Sequence, residues 1–246
     1  MSIVKKSVIL IILSIFMLVL IPSLADEQNE IMETNDHLIY RIENNTVVIT
    51  GYTGDEKVLV IPNRIDDYDV VCIDKRAFIG NEKIWVVILP QTVTEIREYA
   101  FHQSSLRNIV LSSSIKRIGD GVFSNSHLTS IYLPSSINEI GNYLFLGCYH
   151  LRSVKIEAQI KRIPDSSFFE CICLYDVDLP ECLEAIEEEA FYFCKELRFI
   201  DIPQGVSFID DTAFFDCKEL WDHPVLKDYF GDFSDSDEED EEYSVD

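Results

Sequence analysis

A phenylalanine recurs at Phe78, Phe101, Phe123, Phe145, Phe168, Phe191 and Phe214, always 22 or 23 residues after the last. Five positions before each stands an isoleucine: Ile73, Ile96, Ile118, Ile140, Ile163, Ile186 and Ile209. Five or six positions after each stands Ile84, Leu106, Leu128, Leu151, Leu174, Leu197 or Leu220. Two matched columns at a fixed period are the mark of a stacked repeat, and this fixes the fold class before any local propensity is weighed.

Within each unit the Leu is followed by an apolar pair with one residue between, as in Ile131/Leu133, Val154/Ile156, Val177/Leu179 and Ile200/Ile202. That spacing is a strand of period two with both apolar side chains inward. Pro134, Pro180 and Pro203 then end the strand, because proline cannot donate to a ladder. A second short extended piece carries the Ile, and an Ala-Phe turn closes the coil. One coil cannot bury its own apolar side, so neighbours stack at about 4.8 Å into a parallel strand ladder. About seven coils over residues 58–220 are expected, with short extended or helical turns opposite the ladder.

Leu128 to Cys148 nearly spells out L-x-x-I-x-L-P-x-x-h-x-x-I-G-x-x-A-F-x-x-C. This pattern resembles the Treponema-type, BspA-like leucine-rich repeat family, and the resemblance runs from about Val58 to Leu220. It departs where Val122, Leu144 and Ser167 replace Ala, and where Gly follows the Ile only at Gly119 and Gly141. The resemblance implies a leucine-rich repeat solenoid without enzymatic activity or cofactor, a secreted or surface-exposed protein. It also implies adhesion to host or extracellular-matrix proteins through the strand face.

The flanks differ from the repeats. Residues 1–25 hold Lys5 and Lys6, an apolar run from Val8 to Ile21, and Ser23 and Ala25 at cleavage positions, as in a secretory signal peptide. After its removal no stretch is long and apolar enough to span a membrane. Residues 26–37 are expected to be a flexible leader. Residues 38–57 are expected to be a β-hairpin cap turning at Asn44-Asn45, where Asn tolerates positive φ. A short C-terminal cap at 221–231 and a disordered acidic tail at 232–246 complete the division. Asn44-Asn45-Thr46 is also a glycosylation sequon.

The chain carries 44 acidic and 20 basic residues, net −24. Nine of the acids lie in the tail, yet residues 26–231 still hold 35 acids and 18 bases, net −17. Such a field repels polyphosphate, so nucleic acid is excluded as a general partner and a basic extracellular or host protein is compatible. Seven cysteines is an odd count for a secreted chain. Cys148, Cys171, Cys194 and Cys217 share one position of four consecutive coils, close enough for disulfides. Asn81, Ser104 and Ser126 fill the same position without sulfur, which points to buried thiols.

Stacking turns the period into columns, and function is to be sought in columns that folding leaves free. The outward strand positions are Val86 and Ile88, Asn108 and Val110, Ser130 and Tyr132, Ser153 and Lys155, Asp176 and Asp178, Phe199 and Asp201. Outward positions need no apolar residue, so Val86, Ile88, Val110 and Tyr132 form a candidate binding patch unless the N-terminal cap covers its first pair. Lys155, Asp176, Asp178, Phe199 and Asp201 continue the face. The three aspartates are also weak Ca²⁺ ligand types, or simply a solvated surface.

A second column runs His127, His150, Cys173, Glu196, Glu219. Its first three members are zinc-ligand types one coil apart, whereas Lys83 and Ser105 in the same column mark a variable solvent face. Leu146, Phe169, Tyr192 and Phe215 make an aromatic-rich stripe, either lateral core or an exposed edge. No G-x-S-x-G, H-E-x-x-H or glycine-rich phosphate loop is present, and His37, His102 and His223 fall at unrelated positions. The rival to a ligand-binding face is a self-associating surface component whose end coils pair edge to edge. The sequence leaves the oligomeric state unknown.

Overall fold

A computed structural model describes residues 30–220 and 223–230. The segment 1–25 and the acidic stretch 232–246 therefore lie outside the described residues. The repeats form a β-solenoid. Its first strand column comprises β4 (Val58–Val60), β7 (Val86–Ile88), β9 (Asn108–Val110), β11 (Ser130–Leu133), β13 (Ser153–Ile156), β15 (Asp176–Asp178) and β17 (Phe199–Ile200). All paired neighbours in it are parallel, and each register joins like to like, as in Ile131↔Val154 and Val177↔Ile200. The middle residues Leu59, Val87, Ile109, Ile131, Val154, Val177 and Ile200 are buried, with their flanking residues turned outward. Period-two alternation against one packed face produces this pattern.

A second ladder joins β6 (Tyr68–Ile73), β8 (Glu95–Ile96), β10 (Arg117–Ile118) and β12 (Glu139–Ile140). It resumes separately as β14 (Arg162–Ile163), β16 (Ala185–Ile186) and β18 (Phe208–Ile209). The first column is also divided, into β4-β7-β9 and β11-β13-β15-β17. A third ladder has no strands. The amide of each repeat Phe from Phe78 to Phe191 donates to the next coil, as in Phe101 N to Val122 O (2.9 Å) and Phe145 N to Ser167 O (2.7 Å). Residues two before and two after the Phe do likewise, as in Tyr143 N to Asp165 O (2.9 Å) and Gly147 N to Phe169 O (2.8 Å). These flanking residues take the left-handed conformation, with Tyr143 at φ 60 and Phe193 at φ 62. A bulky residue enters that region only where surrounding bonds overdetermine it, and the inter-coil hydrogen bonds supply this.

The repeat Phe side chains form one axial stack. Successive ring centroids from Phe78 to Phe214 lie 4.9–6.0 Å apart and nearly parallel. The repeat Ile and Leu residues close around them. All seven cysteines are free thiols. Those of Cys148, Cys171, Cys194 and Cys217 donate to the carbonyls of Phe123, Phe145, Phe168 and Phe191 at 3.0–3.1 Å. Burial pushes the Cys148 thiol up to about 11, and that of Cys72 up to about 12. In native protein at pH 8, an aromatic disulfide reagent is therefore expected to label Cys173 and Cys182 and to spare the five buried thiols until unfolding. Rapid labelling of more than two would contradict this packing.

At the N-terminus β2 (Leu38–Glu43) and β3 (Thr46–Tyr52) form a hairpin, with Asn44 at φ 51 and Asn45 at φ 61 in the turn. Two left-handed residues make the tight connection that matches strand twist. Asn44 sits exposed at its tip. The hairpin extends the second ladder, because β3 pairs parallel with β6; the antiparallel β5 (Arg64–Ile65) joins β6 as a branch. It does not pair with β4, which is left at the edge of the first column. The expected flexible leader needs correcting: β1 (Met32–Glu33) pairs antiparallel with β2, and Met32 packs against the core. One apolar side chain with a strand edge to pair with is enough to order this short segment. At the other end, a 3₁₀ turn at Lys218–Leu220 leads to α1 (Pro224–Phe230), which buries Leu226. The Nε2 of His223 donates to Ile200 O, at the end strand of the first column, at 3.0 Å.

Candidate functional site

Every outward residue expected from the alternation lies on one face of the first column. Val86 and Ser153 are half-buried, and Ile88, Asn108, Val110, Ser130, Tyr132, Lys155, Asp176, Asp178, Phe199 and Asp201 are exposed. The cap does not cover Val86 and Ile88. Instead β4 adds Val58 (53% exposed) and Val60 (61%), which extend the apolar patch by one coil. These two residues were missed as surface candidates, although Val58-Leu59-Val60-Ile61-Pro62 carries the same alternation and terminal Pro as Val86 to Pro90. The patch thus runs Val58, Val60, Val86, Ile88, Val110 and Tyr132, aligned by parallel pairing except at one seam.

That seam lies between β9 and β11. It opens a depression of about 330 Å³ floored by Ile109, Leu111 and Ile131, with Val110 and Tyr132 at its sides. Beyond it the surface becomes charged. The Tyr132 hydroxyl donates to Glu157 Oε2 (2.6 Å), and Lys155 Nζ lies 3.2 Å from Glu157 and 3.8 Å from Asp178. The Tyr132 bond holds Glu157 below the usual carboxylate range. A further hollow of about 350 Å³ follows, lined by Asp176, Asp178, Phe199, Asp201, Arg198 and His223. The face therefore offers apolar contact at one end, negative charge at the other, and a tyrosine joining them.

The second ladder's outer surface is already occupied by its own charges. Arg117 bridges Glu95 (3.1 Å) and Glu139 (2.9 Å) across three coils, while Arg97 and Arg41 both hold Asp74. Burial pushes the Asp74 carboxyl up, but the two guanidinium hydrogen bonds outweigh it and hold the group below its ordinary value. Phe169, Tyr192 and Phe215 stack at 4.8 and 5.1 Å, half-buried at Phe169 and Tyr192 and exposed at Phe215. This stripe is the flank of the core, with one open end.

The metal expectation needs correcting. Among the described residues no group of three or more His, Cys, Asp or Glu is arranged to hold a metal ion, and this covers Asp176, Asp178 and Asp201 as well. His127 and His150 do meet, with ring centroids 5.3 Å apart, and Cys173 lies in the same hollow. They share it with Arg107 and Arg152, whose fixed positive charges oppose a further cation.

The pattern described as BspA type leucine rich repeat region matches residues 61–175 and 94–221, in six copies. Among solved structures, the T. pallidum leucine-rich repeat protein TpLRR is similar at 29% identity and a TM-score of 0.72, over 80% of this chain and 94% of that one. A leucine-rich repeat protein from Bacteroides ovatus is 22% identical with a TM-score of 0.41, over 76% of this chain and 80% of that one. The pneumococcal vaccine antigen PcpA is 16% identical with a TM-score of 0.47, over 78% of this chain and 74% of that one. A comparison with curated proteins gives no match. No helix among the described residues is long and apolar enough to cross a membrane. With the repeat grammar, the solenoid and the family pattern coinciding over most of its length, the chain belongs to the BspA type leucine-rich repeat family.

Proposed function

We propose that this chain is a secreted or cell-surface binding protein that holds an extracellular or host protein ligand on its strand face, and that it has no catalytic role. The observation that carries this reading is the row of exposed apolar side chains at Val58, Val60, Ile88, Val110 and Tyr132. Folding does not require them, and each points away from the core. Membership of a family compatible with protein binding supports the reading, as does the signal-like segment at 1–25 for export. A face set by backbone ladders is ordered before the ligand arrives, so little conformational entropy is lost on binding. Net charge of −24 favours a basic partner and makes association fall with added salt.

The test is a solid-phase assay of the full chain against extracellular-matrix proteins, with Val110→Ser/Tyr132→Ala as the variant. At least tenfold weaker binding by the variant is expected, since losing two centrally placed contacts costs about 2 kcal/mol or more. No binding to any matrix protein, together with indistinguishable variant and wild-type behaviour, would sink the reading.

One observation favours a second reading, self-association. Among the described strands β4 pairs only with β7, so its other backbone edge is open beside Val58 and Val60, whereas at the opposite end of the column His223 bonds Ile200 O. An open edge of this kind allows two copies to pair about a two-fold axis. Sedimentation is then expected to show a concentration-dependent dimer that Val60→Lys abolishes. A monomer at all concentrations would end this reading and leave the first untouched.

A further inference from the structure

The hollow that holds no metal has the composition of a site for the opposite charge. It has a volume of about 400 Å³ and is lined by Arg107, His127, Thr129, His150, Arg152 and Cys173. No aspartate or glutamate is among these residues, on a chain where acids outnumber bases 44 to 20. Most other arginines are occupied: Arg41, Arg64, Arg97, Arg117 and Arg198 each hold a carboxylate. The side chains of Arg107 and Arg152 form no ion pair with any described residue. Arg107 is instead positioned by stacking, its Cζ lying 4.2 Å from the Trp85 ring centroid, which fixes the guanidinium while leaving its donors unused.

We propose that this hollow binds an oxyanion, namely a small ligand bearing a carboxylate, phosphate or sulfate group. Guanidinium forks match these groups bidentately. Main-chain bonds set the spacing: Thr129 N donates to Arg107 O (3.3 Å) and Arg152 N to Thr129 O (2.9 Å), so the two arginines flank the threonine on successive coils. Thr129 can donate its hydroxyl, and the edge-to-face pair of His127 and His150 presents ring N–H groups whatever their protonation state. The volume falls within the range of small-molecule sites, which leaves room for an organic ligand as well as for a bare anion. The strongly negative field of the whole chain repels free polyanions, so a small, singly or doubly charged ligand is favoured over a polymer.

The experiment is a titration of the full chain with inorganic phosphate, and separately with succinate, followed by the ring-proton resonances of its five histidines at fixed pH. Saturable shifts confined to two resonances, those lost in His127→Gln and His150→Gln, are expected with at least one of the two anions, and the stronger response identifies the preferred group. Arg152→Gln is expected to weaken binding at least tenfold, and Arg107→Gln similarly. Arg117→Gln, whose arginine lies outside the hollow between two glutamates, is expected to leave it unchanged. No saturation with either anion, the same shifts from sodium chloride at equal ionic strength, or undiminished binding in Arg152→Gln would each overturn the proposal.

Discussion

Phe145→Ala is expected to lower the unfolding free energy by about 3–5 kcal/mol, the range for removing a buried aromatic ring from a core that cannot collapse. Phe145 is fully buried and has a ring on both sides, 5.7 Å from Phe123 and 5.2 Å from Phe168. Its backbone is also fixed, because its amide donates to Ser167 and its carbonyl accepts from the Cys171 thiol. The neighbouring coils therefore cannot close the space. Phe214, which stacks only on Phe191 and is slightly exposed, should cost less when truncated in the same way. Urea unfolding measures both. A loss below about 1 kcal/mol at Phe145 would show that the stack does not hold the coils together.

Gly141→Val is expected to be the second severe change, for the opposite reason. A Cβ on Gly141 would stand 2.2 Å from Asp120 Oδ1 and 2.4 Å from Asp120 N, so successive coils would have to separate there. Overpacking of this kind costs about 1–3 kcal/mol. Other coils tolerate Asp74, Arg97, Glu187 and Asp210 at the equivalent position, so the constraint belongs to the close approach of these two coils rather than to the repeat in general. Faster exchange of the Gly141 amide, which donates to Ile118 O at 2.9 Å, would localise the damage. Wild-type stability and exchange in the variant would contradict the geometry.

The stacked architecture was legible because Phe, Ile and Leu occupy columns that only a fixed coil length can align. The outward face was legible for the same reason: with Ile131 and Val154 pointing in, Tyr132 and Lys155 must point out. The third ladder was not legible. It is built from main-chain groups, and its left-handed positions accept Tyr143, Ser166, Glu189 and Phe193 as readily as glycine, so no residue type marks them. Nor do side chains announce the seam between β9 and β11, since Asn108–Val110 and Ser130–Leu133 share one pattern whether or not their backbones bond. The histidine column shows a different limit. That His127 and His150 are neighbours follows from the period, but their chemistry is set by Arg107 and Arg152, which belong to a column two residues away.

The two strand ladders are interrupted at different levels. The first column breaks between β9 and β11, where β10 and β12 remain paired; the second breaks between β12 and β14, where β11 and β13 remain paired. The Phe-turn ladder crosses both levels without a gap. The joints are thus overlapped as in coursed masonry, and no plane between two coils is free of continuous bonding. A pull along the axis finds no single weak course at which to part the rod.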